Sequence, residues 1–338
     1  MNYRLTVKPS DTAVTIDAQQ TVLEAALNAG HSLPYSCRGG TCGACLGELL
    51  DGEVAYPDGQ RPPALSADQH AAGKALFCQA RPLSDLVIKA RPIDAEGEQT
   101  LRILPCRVAE LRRLAPDVMQ VHLQLPARDR LAFVAGQYID FLLRDGRRRS
   151  FSLANPPHAD ETLELHIRHV AGGRFSDFVF NELQEKALLR LQGPLGQFIL
   201  RHTRQCPIIM IAGGTGFAPL KAMLMDAFHR GIDRPIHLYW GARARRDLYL
   251  HDLPLHWAEQ YATFRYTPVL SQPAVEDHWE GRCGWVHEAV AADYPDLSGF
   301  EVYMSGPPAM IQAATPKFQA QGLAPDHLFY DAFEPAGD

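Results

Sequence analysis

The sequence lacks the features that mark membrane, secreted and nucleic-acid-binding proteins. Its longest apolar stretch, residues 206–220, is too short and too rich in glycine to span a bilayer. The first ten residues, MNYRLTVKPS, contain no apolar signal-peptide core. The net charge is −6 and the longest basic run is Arg147 to Arg149, which argues against nucleic-acid binding. We therefore expect a cytoplasmic protein with no membrane partner and no nucleic-acid partner.

Disulfides are also not expected, because the cysteine count of 7 is odd and a secretory leader is lacking. What the chain does have is the composition of an ordinary globular protein, with 46% hydrophobic and 21% charged residues. Its 338 residues predict two or three domains.

Four thiols stand out by their spacing. The loop CRGGTCGAC carries Cys37, Cys42 and Cys45 in C-x4-C-x2-C order, and Cys78 follows in LFCQA. This is the plant-type spacing of a [2Fe-2S] cluster, and the small residues between the ligands let the backbone wrap the inorganic core. A zinc site usually uses two CxxC knuckles, and a c-type haem needs His at position 46, where the chain has Leu. We predict a [2Fe-2S] cluster on these four cysteines.

The predicted elements around this loop indicate a small α+β domain. Alternating residues 3–16 read as a hairpin, TVLEAALNAG reads as a helix capped by Thr21 and closed by Gly30, and a second short helix is expected from Ser66 to Ala72. This order resembles the β-grasp plant-type ferredoxins over residues 1–92. The polar segment 93–102 is expected to be a linker.

The rest of the chain changes its pattern near residue 204. Residues 103–203 alternate with a period of two and predict an antiparallel β-barrel, whereas residues 204–338 carry apolar runs separated by helices and predict a parallel sheet. The fold class is therefore multi-domain, α+β and α/β.

The stretch RSFSLAN contains groups suited to a flavin. A guanidinium can bind a phosphate, an aromatic face can cover a flat ring and a hydroxyl can donate to a ring nitrogen. The stretch resembles the R-x-[YF]-S motif of the ferredoxin–NADP reductase superfamily, and this resemblance spans residues 103–338. It implies that Arg149 binds the FAD phosphate, that Phe151 packs on the isoalloxazine and that Ser152 faces its N5 atom.

Two further segments carry glycine-rich signals for dinucleotides. The stretch GGRFS precedes a predicted helix, DFVFNELQ, which its backbone amides and Ser176 could cap around a pyrophosphate. The resemblance implies that Gly172, Gly173 and Ser176 line the flavin pyrophosphate, with His166 and Arg168 on the neighbouring strand towards the diphosphate or ribose. The G-G-T-G-x-A-P loop matches the superfamily's nicotinamide-nucleotide loop, with Gly213, Gly214, Thr215, Gly216 and Pro219. The element Ser305, Gly306 and Pro307 resembles C-G-P-P beside the nicotinamide, and Phe333 resembles the terminal aromatic residue near the flavin. Ser152, Phe151, Ser305 and Phe333 are thus the candidate catalytic residues.

The nucleotide preference depends on the stretch GARARRDLY. Arg243, with Arg245 and Arg246, could bind a 2′-phosphate and favour NADPH. The same stretch resembles NADH-using reductases of the superfamily, and we favour NADH.

The module order suggests an electron path. A nicotinamide gives two electrons at once and the cluster takes one, so a flavin is needed between them. The predicted function is NAD(P)H to FAD to [2Fe-2S] to an electron-acceptor protein. The whole chain resembles CDP-6-deoxy-3,4-glucoseen reductases, whose partner is a dehydrase, and the reductase components of phenol, methane and aromatic-ring oxygenases. A non-catalytic redox sensor or scaffold and a dehydrogenase of a small substrate are the other hypotheses, and the latter lacks a candidate substrate acid or base.

Overall fold

The structure is a computed structural model that describes residues 1–31, 33–41, 43–90 and 101–333. The chain divides into two compact units, Met1–Leu101 and Arg102–Asp338. Most of the predicted linker 93–102 lies outside the described residues, and Arg102 is already the first residue of a strand. No helix of the described part is both long and apolar enough to cross a membrane.

Unit 1 is a β-grasp sheet with a helix packed beside it. Its elements are β1 (Asn2–Lys8), β2 (Thr12–Asp17), α1 (Val22–Asn28), β3 (Leu46–Asp51), β4 (Val54–Ala55), α2 (Ala67–Ala71), β5 (Lys74–Leu76), β6 (Arg81–Pro82) and β7 (Leu86–Lys89). The main sheet has the order β2-β1-β7-β3-β5, and β4 pairs with β6. Strands β1 and β7 are parallel, while β1 and β2 form the predicted hairpin.

Both helices predicted for unit 1 are confirmed, as is the Thr21 cap of the first one. The Thr21 hydroxyl accepts a hydrogen bond from the Glu24 amide. The Glu24 carboxylate accepts one from the Thr21 amide, which completes a capping box. Ser66 and Gln69 do the same for α2. Gly30 has a φ of +82°, the left-handed conformation that glycine adopts readily after a helix.

The first half of unit 2 is a closed antiparallel barrel. Its elements are β8 (Arg102–Ala115), β9 (Val118–Gln124), β10 (Tyr138–Leu142), β11 (Arg148–Ser152), β12 (Leu163–Arg168), α3 (Arg174–Asn181) and β13 (Leu188–Leu195). The sheet has the order β11-β10-β13-β8-β9-β12. A bridge between Leu153 and Leu165 joins the two edges, so the sheet closes next to the RSFSLAN stretch.

The start of α3 differs from the sequence expectation. The helix was expected to begin after Ser176, but it begins at Arg174 with Gly173 as its N-cap residue. The Ser176 hydroxyl donates to the carbonyls of Val170 and Gly173 and accepts the amide of Val170. Ser176 therefore fastens the glycine turn from within the first helical turn and does not cap the helix.

The second half of unit 2 is a parallel sheet flanked by helices. Its elements are β14 (Ile208–Gly213), α4 (Phe217–His229), β15 (Ile236–Ala242), α5 (Asp252–Gln260), β16 (Phe264–Leu270), β17 (Arg282–Cys283), α6 (Val286–Asp293), β18 (Glu301–Gly306), α7 (Pro308–Ala320) and β19 (Leu328–Ala332). The order is β17-β16-β15-β14-β18-β19, with parallel neighbours throughout. The chain runs outward from β14 in one direction and resumes at β18 on its other side. A crevice for a ligand is therefore expected where β14 and β18 end.

Candidate redox site

The predicted cluster ligands lie in unit 1. Cys37 is half-buried, Cys45 and Cys78 are buried, and Cys42 lies outside the described residues. The amide of Gly39 and the hydroxyl of Thr41 donate to Cys37 Sγ at 3.3 and 3.4 Å. Such donors stabilise a thiolate and tune a cluster that it binds.

Cys45 and Cys78 form an adjacent pair of thiols. The hydrogen bond from Cys78 lowers the pKa of the Cys45 thiol, while burial and the nearby Cys37 oppose that shift. No group of three or more His, Cys, Asp or Glu suited to one metal ion occurs among the described residues, which omit Cys42. A [2Fe-2S] cluster needs only two thiolates on each of its irons, so an adjacent pair is the expected local unit.

The loop around these thiols contains two glycines with left-handed backbone. Gly40 and Gly43 have φ values of +79° and +77°, which few other residues tolerate. A Cβ on Gly40 would lie 2.9 Å from Pro62 Cβ, so this glycine lets the segment near Pro62 pack under the loop. The donor set and the glycine backbone fit a [2Fe-2S] cluster.

Strand β11 carries the flavin motif at the closing edge of the barrel. Arg149 and Phe151 are half-buried, and Ser152 is buried with 8% exposure. The Phe151 ring lies 5.9 Å from Phe141 and 5.4 Å from Phe175, measured between centroids, within an aromatic cluster. The three motif side chains thus present a charge, a ring and a hydroxyl along one strand end.

The residues predicted to lie near the diphosphate occupy two different environments. His166 is buried, and its ring nitrogens lie 2.8 Å from Glu164 Oε1 and 3.0 Å from Tyr249 Oη. Any contact of His166 with a cofactor would therefore have to come through its backbone. Gly172, in contrast, is exposed with a φ of +78° and has open space at its Cα.

Arg168 lies against the nicotinamide-nucleotide loop. A Cβ on Gly214 would come within 2.6 Å of Arg168 Nη1, so the guanidinium lies directly on this glycine. Arg168 Nε is 3.2 Å from Asp117 Oδ2, yet neither Nε nor Nη2 makes an aligned hydrogen bond among the described residues. A buried donor without a partner is costly, and an anion on the loop would satisfy both.

The loop itself lies at the switch point between β14 and β18. A Cβ on Gly216 would lie 1.9 Å from the carbonyl oxygen of Ser305, and one on Gly213 would lie 2.7 Å from Pro307 Cδ. Only glycine permits this approach of the two backbones. Thr215 and Pro219 are buried beside it, and Trp240 Nε1 donates to the Gly214 carbonyl at 2.9 Å.

The terminal strand completes the arrangement. The amide of Phe333 donates to the carbonyl of Gly306 at 2.9 Å. Ser152 Oγ lies 3.5 Å from Asp331 Oδ2, at the long end of the hydrogen-bond range, and both residues are buried. Ser305 Oγ is also buried and has no hydrogen-bond partner among the described residues. The flavin motif, the loop at Gly306 and β19 therefore meet.

Sequence reasoning did not assign a role to Asp331. The available signal was a carboxylate inside the apolar terminal strand, two residues before Phe333. A buried acid in such a strand needs a partner, and Ser152 is one such partner.

Arg243 directly follows β15, where an adenosine ribose is expected. Its Nε lies 3.4 Å from Asp247 Oδ2 and its Nη2 lies 3.7 Å from Asp117 Oδ2. Asp247 is buried and also accepts the amide of Ala244. Two carboxylates therefore flank the arginine that could bind a 2′-phosphate.

These residues fit the two organic cofactors. The glycine turns, the unsatisfied Arg168 nitrogens and Ser305 Oγ suit a dinucleotide at the switch point, and the groups on β11 suit a flavin phosphate, ring and N5 atom. A bound flavin takes two electrons from a nicotinamide and releases them singly to a one-electron cluster. The protein's own part would be to hold the rings and, through Asp331, to orient the Ser152 hydroxyl.

The comparisons with known proteins agree with these three separate groups of residues. Residues 5–83 match the 2Fe-2S iron-sulfur cluster binding domain family, residues 105–199 match the oxidoreductase FAD-binding domain family, and residues 210–315 match the oxidoreductase NAD-binding domain family. The chain is 38% identical over 336 residues to the CDP-6-deoxy-L-threo-D-glycero-4-hexulose-3-dehydrase reductase of Yersinia pestis, covering 99% of this chain and 100% of the relative.

Two oxygenase-type relatives are similar over the same extent. The reductase component of phenol 2-monooxygenase from Pseudomonas sp. strain CF600 is 36% identical, covering 100% of this chain and 96% of the relative. The solved cytochrome P450 reductase of Amycolatopsis has a TM-score of 0.85 and 36% identity, covering 99% of this chain and 100% of that chain. The chain uses a [2Fe-2S] cluster, FAD and a nicotinamide nucleotide, and its electrons go to a separate acceptor. It belongs to the NAD(P)H-dependent iron–sulfur flavoprotein reductases that combine a plant-type [2Fe-2S] domain with the FAD- and NAD-binding halves of the ferredoxin-reductase fold.

Proposed function

We propose that the acceptor is a dehydrase acting on a CDP-linked 4-keto-6-deoxy sugar. The observation that carries this proposal is the full-length similarity to the Yersinia pestis reductase, whose name gives such a dehydrase as its partner. The similarity includes unit 1, where a cluster would meet its acceptor. An oxygenase component is the second candidate, supported by the phenol 2-monooxygenase relative.

A reconstitution distinguishes the two acceptors. NADH oxidation by the purified reductase is followed with the dehydrase and its CDP-sugar substrate, and separately with a phenol hydroxylase component and phenol. We expect product to form only with the dehydrase. Product only in the hydroxylase reaction would favour the second candidate, and NADH oxidation without any electron transfer to either protein would contradict both.

We propose that NADH is the preferred nucleotide. Asp117 and Asp247 offset the positive charge of Arg243 at the predicted ribose position, so an added 2′-phosphate would gain little attraction. An anaerobic titration with NADH and with NADPH, followed by visible absorption and EPR, tests this. We expect faster bleaching of the flavin with NADH, together with a reduced [2Fe-2S] signal. Equal rates with both nucleotides would contradict the preference.

The residue roles and domain limits belong to the same proposal. We propose a ferredoxin domain at 1–92, a linker at 93–102, an FAD domain at 103–203 and an NAD(P)H domain at 204–338. The family matches at 5–83, 105–199 and 210–315 support this division. A cytoplasmic location also stays a prediction, based on the thiolate-bound cluster, which suits a reducing compartment.

A further inference from the structure

A buried chain of polar groups joins the barrel of unit 2 to its nucleotide-binding half. Lys221, on α4, has its Nζ 2.8 Å from Glu164 Oε2 on β12, and the two side chains are only 8% and 9% exposed. Glu164 Oε1 contacts His166 Nε2, and His166 Nδ1 contacts Tyr249 Oη. The predicted cofactor contacts do not require Lys221 or Glu164.

Lys221 also reaches the flavin motif directly. Its Nζ donates to the carbonyl of Ala154 at 2.9 Å, two residues after Ser152. Glu164 receives a further hydrogen bond from Gln120 Nε2 at 2.7 Å. One ammonium group therefore binds two segments of the barrel, each next to the edge where the barrel closes.

Stability alone is a poor explanation for this arrangement. Burying an ion pair removes two charges from water, and apolar residues of similar size are often as good or better for stability. Burial raises the pKa of Glu164, but the hydrogen bond from His166 and the charge of Lys221 outweigh burial and lower it far below its usual range. Burial lowers the pKa of His166, which leaves its ring neutral near pH 7. The Lys221 cation and the Glu164 anion therefore each have fixed hydrogen-bond partners in a fixed geometry.

The position of Lys221 in α4 indicates what this fixed geometry would do. Helix α4 begins at Phe217, directly after the turn Gly214–Gly216 of the nucleotide loop. Any shift of α4 relative to the barrel would therefore move this loop relative to the flavin motif. We propose that Lys221 is a positioning residue for hydride transfer, which holds α4 and its glycine loop at a fixed distance from β11 through Glu164 and Ala154. This inference depends on the proposed roles of those two motifs.

The test compares two buried ion pairs. The variant Lys221→Met/Glu164→Gln removes both charges, so that no unpaired buried charge remains. The matched control is Arg234→Met/Glu301→Gln, which removes a pair that is 5% and 0% exposed. Glu301 is the first residue of β18, at the opposite end of the strand from Ser305. Lys221→Arg, which keeps the charge, serves as the conservative variant.

Three quantities are measured for each protein. They are the FAD content, the limiting rate of flavin reduction by NADH with its deuterium isotope effect, and the hydrogen exchange of α4 amides in the FAD-free protein. For Lys221→Met/Glu164→Gln we expect normal FAD content, faster exchange at the start of α4, and a limiting rate about 10- to 100-fold lower with a larger isotope effect. A misplacement near 1 Å can cost about 10²-fold, and a smaller one costs less. Lys221→Arg should recover most of the rate, and the control should keep the wild-type rate.

A wild-type limiting rate in Lys221→Met/Glu164→Gln would overturn the inference. An equal slowing in the Arg234→Met/Glu301→Gln control would overturn it as well, because the effect would then be one of general stability. A wild-type protein whose flavin is not reduced by NADH would instead defeat the proposed function, whatever the variants do.

Discussion

At the scale of single residues, Asp331 is the group whose removal should be most informative. Its carboxylate lies beside the Ser152 hydroxyl in a buried position, and a hydrogen bond to a charged group contributes about 1.5–3 kcal/mol. We expect Asp331→Asn to slow flavin reduction by NADH by about tenfold or more, because the Ser152 hydroxyl loses its charged acceptor. Stopped-flow absorption of the FAD-loaded protein measures this rate.

The control for this experiment is Asp326→Asn. Asp326 lies just before β19 in the chain, six residues before Ala332. The Asp326 side chain is 67% exposed and pairs with Arg204 at the surface. Its loss should leave the reduction rate unchanged. If Asp331→Asn reduced at the wild-type rate, Ser152 would be oriented by another group.

The sequence motif singles out some residues of the candidate site and gives no signal for others. Arg149, Phe151 and Ser152 follow a motif because each would contact a cofactor through a chemistry that few residue types supply. Asp331 acts on a neighbouring side chain, and such a partner depends on which strands meet in space. Lys221 is visible in the sequence only as a charge inside an apolar helix, and nothing in the local pattern names Glu164 as its partner.

At the scale of elements, strand β15 carries a histidine that should make stability depend on pH. His237 Nδ1 lies 2.8 Å from Tyr294 Oη and its Nε2 lies 2.9 Å from Thr267 Oγ1. Burial, with a smaller effect of Arg265, lowers the pKa of His237 to about 4 from its ordinary 6.5, while Asp293 opposes the shift. Between these two values the unfolded chain binds a proton that the native chain does not.

The free energy of unfolding should therefore fall as the pH drops from about 6.5 towards about 4. His166, His251 and His287 also have lowered pKa values and act in the same direction. We expect His237→Gln to weaken this dependence, measured as the difference in urea midpoint between about pH 7 and about pH 5. His256→Gln, on the exposed face of α5, should keep the wild-type difference. An unchanged difference in His237→Gln would contradict the role of burial.

Element boundaries were predictable where a cap has its own chemistry. Thr21 and Ser66 are followed three residues later by Glu24 and Gln69, and both helices begin as expected. The predicted start of α3 was wrong. Ser176 resembles a helix cap in sequence, whereas its hydroxyl forms hydrogen bonds with the turn before the helix. A serine can serve either purpose, and only the path of the preceding glycines decides between them.

At the scale of the whole molecule, the proposed electron path predicts that reactions needing only the flavin can continue when reactions needing the cluster are lost. Cys78→Ser removes a proposed cluster ligand from unit 1 and leaves unit 2 intact. We expect NADH-to-ferricyanide turnover to survive and cytochrome c reduction to fall by at least about tenfold, since even the partners of metal ligands are typically worth about 10–100-fold in affinity or activity. Both activities are assayed on the same preparation by absorption.

Cys283→Ser serves as the matched control, because Cys283 is exposed and lies outside the predicted ligand set. It should leave both activities unchanged. Equal loss of both activities in Cys78→Ser would contradict the linear path from flavin to cluster.

The two folds of unit 2 were predictable from hydrophobic period, since alternation indicates the barrel and continuous apolar runs indicate the parallel sheet. The β-grasp fold of unit 1 followed from the resemblance to plant-type ferredoxins. The acceptor was not predictable, because the charges of residues 1–92 nearly balance and give no electrostatic signature.

The division of the chain at Leu101 and Arg102 has a consequence for how such proteins diversify. The groups that would bind the coenzyme lie in unit 2, and the thiols that would deliver electrons lie in unit 1. Mutations in unit 1 that change the electron acceptor can therefore accumulate without changing the coenzyme preference of unit 2. Relatives that share this full-length plan are named for a sugar dehydrase and for a phenol oxygenase, so chimaeras exchanged between Leu101 and Arg102 are a natural starting point for redirecting electrons to a chosen enzyme.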